Sequence, residues 1–211
     1  MADASRQAHW EEVYTSSDET EVSWFQDTPA PSLELIGQAN PAKDTDIIDI
    51  GGGASRLADG LLERGFRHVT VLDISQGALD LASLRLGRRA SEVQWIAADV
   101  TEWPPSRCFD IWHDRAAFHF LTRAADRAAY VARLNEALRP GGHAIIATFA
   151  EDGPEKCSGL PVNRYDAAAL SRELGAAFTL IESRRHDHST PSSATQRFRF
   201  SVFQKQGGRE R

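Results

Sequence analysis

The stretch that decides the fold is residues 46–55, DIIDIGGGAS, in which a short apolar run leads directly into three glycines. A run of this kind is typical of a buried parallel strand that ends in a tight turn. Apolar residues then recur at helical spacing over residues 55–64, until Gly65 ends the pattern. The stretch therefore predicts a strand, a glycine turn and a helix whose free N–H groups face the turn.

The same alternation continues along the chain and predicts a layered α/β fold. Apolar segments at 178–183 and 197–203 are joined by a polar segment too short for a crossover helix, so they predict an antiparallel hairpin. We expect a doubly wound, mostly parallel seven-stranded sheet with a C-terminal antiparallel hairpin and helices on both faces. The other strands are predicted at 68–72, 93–97, 109–112 and 143–149, and the helices at 4–14, 75–86, 123–138 and 166–174.

Length, charge and cysteine content limit the organisation and the partners. The 211 residues suit an N-terminal helical segment (1–40) that covers the ligand site of one main domain (41–211). A net charge of −6 argues against a generally basic nucleic-acid surface, and no membrane span is predicted. Two cysteines far apart indicate a reducing compartment, so we expect a cytoplasmic protein without nucleic-acid or membrane partners. The oligomeric state stays open.

Three loops at the predicted carboxyl edge of the sheet indicate a nucleoside-like ligand. The glycine turn lets the backbone approach a ligand closely. A nicotinamide dinucleotide fingerprint would need glycine at the position of Arg56, which argues against a dehydrogenase. Asp73 can accept hydrogen bonds from ribose hydroxyls, and Asp99 from an adenine amino group beside Val100.

The runs IIDIGGGAS, VTVLDIS, IAADVTEW, FDIWHDRAAFHF and LNEALRPGGHAIIATF resemble the successive motifs of class I S-adenosylmethionine-dependent methyltransferases over about residues 45–150. The resemblance implies S-adenosylmethionine as cofactor. It also implies that Gly51 and Gly53 approach the methionine and ribose portion, and that backbone near Trp112 and His113 lines the methionine end. Asp49 would either organise the loop or hold the amino group through water. Ser55 stands where the family often has a third glycine. The remaining cofactor-binding candidates are Ile74, Ser75, Val100, Trp10, Tyr14 and Trp24.

The N-terminal run HWEEVY resembles a segment that folds over the cofactor in many of these enzymes. Trp10 and Tyr14 lie on one face of the predicted helix. Ordinary core packing of this helix explains the two aromatic residues equally well.

Candidate catalytic residues follow the fourth strand. Methyl transfer from a sulfonium is an in-line displacement, so the protein mainly aligns the reactants and excludes water. His113 or His119 could act as a base, Asp114 could orient a nucleophile, and Arg115 could hold an anion. Alternatively, Asp114 and Arg115 pair with each other and His119 is a core residue.

The acceptor is less determined than the cofactor. The Asp114-Arg115 pair, the aromatic-rich stretch after it and the Gly-Pro loop after the fifth strand resemble the thiopurine and thiol methyltransferase branch. This resemblance implies a small, soft acceptor. A competing resemblance of the segment EVSWF to protein lysine methyltransferases implies an open acidic groove, and a non-catalytic cofactor-binding subunit is a third possibility. No metal is expected, although His186 and His188 in a predicted loop near Cys157 leave a weak alternative. The predicted substrate contacts are Phe25, Phe118, Cys157, His188 and Arg197.

Overall fold

A computed structural model describes residues 2–16 and 18–207. Met1 and Ser17 of the predicted N-terminal segment and residues 208–211 of the predicted main domain lie outside the described residues. Six α-helices occur in the described ranges: α1 Ala2–Ser16, α2 Ala30–Gln38, α3 Leu57–Glu63, α4 Gln76–Leu86, α5 Ala124–Ala137 and α6 Ala167–Leu174. The strands are β1 Asp46–Ile50, β2 His68–Asp73, β3 Val93–Ala97, β4 Phe109–Arg115, β5 Leu138–Phe149, β6 Lys156–Cys157, β7 Leu160–Pro161, β8 Phe178–Ser189 and β9 Thr195–Lys205.

Seven of the described strands form one sheet in the order β3-β2-β1-β4-β5-β9-β8. Strands β1 to β5 pair in parallel, whereas β9 is antiparallel to both β5 and β8. The predicted fold class, including the terminal hairpin, is confirmed. A small ribbon of β6 and β7 lies in the long segment after β5, where no strand was predicted.

The core has two layers because residues of the central strands alternate between the two faces of the sheet. Ile47 packs into one buried cluster with Leu61 and Phe200. Its neighbour Ile48 packs into the other cluster with Trp112. Both faces are therefore covered, as the nearly continuous apolar strands predicted.

Several strands extend further than the sequence predicted: β5 already begins at Leu138, β9 runs from Thr195 to Lys205, and β4 and β8 continue past their predicted ends. Strand β4 continues through Arg115, because it pairs with β1 on one side and β5 on the other. Strand β8 continues through Ser189, so His186 and His188 lie in a strand and not in a loop. In both places the ladder of backbone hydrogen bonds outweighs the low strand propensity of charged residues.

The helix ends differ only slightly from the prediction, and α3 begins at Leu57 instead of Ser55. None of the helices in the described ranges is long and apolar enough to cross a membrane.

Candidate active site

A cavity opens at the carboxyl ends of the parallel strands, where a doubly wound sheet is expected to bind its ligand. The loops after β1, β2 and β3 form its floor, and α1 and the segment around Trp24 lie across it. Eight of the predicted cofactor-binding residues line this one cavity: Trp10, Tyr14, Trp24, Gly51, Asp73, Ile74, Asp99 and Val100.

The glycine turn is packed too closely for side chains. A Cβ at Gly51, whose φ is +64°, would lie 2.7 Å from the Cβ of Ala117. A Cβ at Gly52 would lie 2.6 Å from Oδ2 of Asp49, so the middle glycine, to which the sequence analysis assigned no role, is as constrained as its neighbours. At Gly53 a Cβ would lie 3.0 Å from Oδ2 of Asp73. The three glycines thus keep the turn close to the acidic side chains around it.

Asp73 ends β2 inside this cavity and is 6% exposed. Its Oδ1 accepts a hydrogen bond from the backbone N–H of Ser75 at 2.8 Å. Burial, reinforced by the nearby carboxylates of Asp49 and Glu11, raises the pKa of Asp73 to about 7. A ligand that donates hydroxyl hydrogen bonds would favour the ionised form.

Asp99 is already engaged on both oxygens. Its Oδ1 accepts from the backbone N–H and the hydroxyl of Thr101, at 2.8 and 2.7 Å. Its Oδ2 accepts from Nη2 of Arg6 in α1, at 2.7 Å. The sequence pattern gave no sign of Arg6, since it lies 93 positions away from its partner.

Glu11 is a second residue of α1 that the sequence analysis missed. Its carboxylate accepts hydrogen bonds from the hydroxyl of Ser75 and from the backbone N–H groups of Gln76 and Gly77, at 3.0, 2.7 and 3.1 Å. A carboxylate at this place satisfies the free N–H groups of the first turn of α4 and interacts well with the helix dipole. Ser75 in turn caps α4 by accepting from Ala78 N–H at 3.1 Å.

His113 lies beside the glycine turn, outside the main cavity. Its Nδ1 lies 2.6 Å from Oδ1 of Asp49, and its Nε2 lies 2.8 Å from the hydroxyl of Ser32. Both ring nitrogens are therefore occupied in a buried network. His113 and Asp49 border a neighbouring cleft with Ser55 and Phe25. The geometry therefore does not support His113 as a base that faces an acceptor in the main cavity.

Asp114 and His119, which were also predicted to be catalytic, lie in the core and not in the cavity. Asp114 is fully buried and accepts from the N–H groups of Ala117 and Phe118 and from the Tyr130 hydroxyl, at 2.8, 3.1 and 2.7 Å. Burial raises the pKa of Asp114 to about 6. His119 is fully buried and accepts from Phe149 N–H at 3.2 Å, and burial with the nearby Arg115 charge lowers its pKa to about 3. The two residues stabilise the turn after β4 and do not line the cavity.

Arg115 does line the cavity, and no ion pair with Asp114 occurs in the described part of the chain. Successive strand residues point to opposite faces, which separates the two side chains. Nη1 of Arg115 donates to the carbonyl of Trp24 at 2.9 Å, and the guanidinium carbon lies 5.0 Å from the Phe198 ring centroid. Burial lowers the pKa of Arg115 to about 10, so the side chain remains charged at neutral pH.

Of the predicted substrate contacts, only Cys157 lines the main cavity. Phe118 is fully buried in the core, between the rings of Tyr130 and Tyr165. His188 lies 2.8 Å from the carbonyl of Ser23 and lines a separate shallow pocket. Neither residue reaches the main cavity, because β8 continues through His188 and Phe118 packs into the core after β4 has ended.

Arg197 is 53% exposed and pairs with Asp152 at 3.3 Å, outside the main cavity. Phe25 lies in the neighbouring cleft, with the Arg56 guanidinium 5.1 Å from its ring centroid. Across residues 2–16 and 18–207, no group of three or more histidine, cysteine or acidic side chains is arranged to hold a metal ion.

The comparisons with known proteins agree with this geometry. Residues 47–142 match a sequence family described as "Methyltransferase domain". Trans-aconitate 2-methyltransferase of Acidovorax sp. (strain JS42) is 30% identical over 128 residues, which are 61% of this chain and 46% of that protein. The chain spans about half the length of the curated relatives it matches.

Solved structures share the fold across almost the whole chain. One, determined for the conversion of a disulfide bond into a thioacetal group during echinomycin biosynthesis, has a TM-score of 0.77 at 19% identity and covers 95% of this chain and 93% of its own. Another is 1,6-didemethyltoxoflavin-N1-methyltransferase from Burkholderia thailandensis with bound 1,6-didemethyltoxoflavin and S-adenosylhomocysteine. It has a TM-score of 0.67 at 23% identity and covers 97% of this chain and 85% of its own. These structures confirm the predicted class I fold, and residues 47–142 are similar to a methyltransferase domain.

Proposed function

We propose that this protein transfers a methyl group from S-adenosylmethionine to a small-molecule acceptor. The observation that carries the proposal is the meeting of the glycine turn, Asp73 and the Asp99 loop in one cavity. S-adenosylhomocysteine, the product form of this cofactor, is bound in a structure of the same fold.

The strand order suggests how the cofactor lies. Asp99, Asp73 and Gly51 follow β3, β2 and β1, which are consecutive in the sheet. We place the adenine near Asp99 and Val100, the ribose at Asp73 and the methionine portion over Gly51. The described part of the N-terminal segment covers this site through Trp10 and Tyr14.

The acceptor is proposed to be small, with a thiol or another soft nucleophile as the leading candidate. Aromatic rings of Trp10, Trp24, Phe120 and Phe198 enclose the part of the cavity beyond the glycine turn. One structure of this fold is associated with the conversion of a disulfide bond into a thioacetal group, which is chemistry at sulfur. A lysine acceptor is disfavoured because the charged Arg115 would repel an approaching ammonium group.

Incubation with methyl-labelled S-adenosylmethionine tests the proposal. Two panels are offered, one of small thiols and carboxylates and the other of lysine-bearing proteins, and S-adenosylhomocysteine formation is followed in parallel. We expect label on small molecules and its loss in the variant Asp73→Ala. Label that appears only on protein would favour lysine methylation, and cofactor binding without turnover on any acceptor would favour a non-catalytic subunit.

A further inference from the structure

Arg115 is a partly buried cation that has no carboxylate partner in the ranges 2–16 and 18–207. Its Nη1 donates to Trp24, but Nε and Nη2 are shielded from water and have no hydrogen-bond partner there. These two nitrogens share one edge of the guanidinium plane and carry two parallel N–H bonds. That edge matches the two oxygens of a carboxylate. Buried donors without a partner are costly, so the arrangement indicates an anion supplied by a ligand.

The position of Arg115 favours the acceptor over the adenosine part of the cofactor. Arg115 ends β4, one strand beyond the glycine turn of β1 and on the side away from Asp73 and Asp99. Neighbouring strands are about 4.8 Å apart. The guanidinium also lies against Phe198 of β9, still further from the two acids. It therefore faces the aromatic part of the cavity.

The same part of the cavity lacks a side chain that would accept a proton near neutral pH. Apart from Arg6, Asp73 and Asp99, which we place beside the adenosine, the titratable groups that line the cavity in the described chain are Tyr14, Arg115 and Cys157. Burial raises the pKa of Tyr14, and it raises the pKa of Cys157 to about 11. All three therefore hold their protons at neutral pH. An acceptor that enters this part of the cavity must therefore carry a nucleophile that is already deprotonated.

We infer that the acceptor is a small planar organic anion whose carboxylate pairs with Arg115, an inference that rests on the proposed methyl transfer. The nucleophile is a carboxylate oxygen or an acidic thiolate of that molecule. Its electron pair forms the bond to the methyl carbon, and the carbon–sulfur bond breaks with its electron pair on sulfur. The sulfonium becomes a neutral thioether and the acceptor loses one negative charge, so no proton has to move.

Calorimetric binding tests this inference without turnover. The protein is first titrated with S-adenosylhomocysteine, and the saturated complex is then titrated with 2-sulfanylbenzoate and with its neutral carboxamide. We expect the acid to bind at least tenfold more tightly than the amide. Arg115→Met should abolish this preference, and Arg115→Lys should keep part of it. Arg185→Met is the matched control, since Arg185 is exposed and pairs with Glu151 and Asp152.

Three results would overturn the inference. The first is that the acid and the amide bind equally well, and the second is that the acid does not bind. The third is that Arg115→Met weakens the binding of S-adenosylhomocysteine tenfold while the preference for the acid over the amide stays. The last result would assign Arg115 to the methionine carboxylate. Thermal unfolding checks that each variant is folded, and Arg115→Lys supplies the answer if Arg115→Met does not fold. Failure of the proposed function is recognised separately, as absence of S-adenosylhomocysteine binding in the first titration.

Discussion

Asp73 shows how a single buried carboxyl group connects stability with ligand binding. Without a ligand, its pKa of about 7 lies well above the ordinary value of 3.8. A raised folded-state pKa means that the contribution of Asp73 to stability is complete below about pH 4 and is lost as the pH rises through 7. Ribose hydroxyls would donate hydrogen bonds to the ionised form and offset the burial.

The first prediction is a pH-dependent affinity for S-adenosylhomocysteine. Binding should release a proton from Asp73, so the affinity should increase from pH 5 to about 7 and level off above that. Calorimetry in buffers of different ionisation enthalpy measures the proton release. The Asp73→Asn variant should bind roughly tenfold to a hundredfold more weakly, and its affinity should lack this slope. An identical slope in both proteins would remove Asp73 from the ribose site.

The second prediction concerns the middle glycine of the turn. Gly52→Ala would place a methyl group within 2.7 Å of both Asp49 and Val71, and relief requires movement of the network around His113. We expect a loss of about 1–3 kcal/mol in the free energy of unfolding, measured by urea denaturation, and weaker cofactor binding.

Gly37→Ala is the matched control. A Cβ at this exposed position in α2 meets no atom within 4 Å, and alanine favours helix by about 0.5–1 kcal/mol over glycine. Equal destabilisation by the two substitutions would show that packing around the turn is not the cause.

At the scale of elements, α1 is joined to the domain through its charged residues as much as through its aromatic ones. Glu11 binds the N-terminus of α4, and Arg6 binds Asp99. Trp10 meets Phe120 and Trp24 with ring centroids 5.0 and 5.6 Å apart. These contacts hold the helix across the cavity mouth.

The third prediction is that Glu11→Gln loosens α1. Loss of the charged hydrogen bonds to α4 should lower the free energy of opening α1 by about 1–2 kcal/mol. Hydrogen exchange of the α1 amides measures this change, and affinity for S-adenosylhomocysteine should fall with it. Glu12→Gln removes the same charge from the exposed neighbouring position and should leave both quantities unchanged. Equal exchange in the two variants would contradict the role of Glu11.

At the scale of the whole molecule, the cofactor would join the loops after three strands to the covering helix. Any ligand that binds only the folded state stabilises it by mass action, by about 2.7 kcal/mol at a concentration of one hundred times Kd. For a protein of this length, each kcal/mol raises Tm by about 2–4 °C.

The fourth prediction is therefore a rise in Tm of about 5–10 °C with S-adenosylhomocysteine at that concentration. Differential scanning fluorimetry measures it. NAD should produce no comparable shift, because Arg56 stands where a dinucleotide site needs glycine. A larger shift with NAD would contradict the cofactor assignment.

The sequence by itself determined the sheet, the glycine turn and the two strand-end acids, because each is a local pattern of apolar spacing and turn chemistry. It placed Asp73 and Val100 in the cavity correctly for that reason. It did not determine which side chains meet across long separations. Arg6 and Asp99, Glu11 and α4, and Asp49 and His113 become partners only when the sheet and α1 are assembled.

Pairing between strands distant in the sequence also decided how far β4 and β8 continue. The length of β4 in turn decided where the side chains of the candidate catalytic residues lie. Hydrogen bonding to two neighbouring strands carries β4 through Arg115, so Asp114 turns into the core while Arg115 reaches the cavity. No local propensity distinguishes these two adjacent charged residues. The alternation of side chains across a strand does so, once its register with β1 and β5 is fixed.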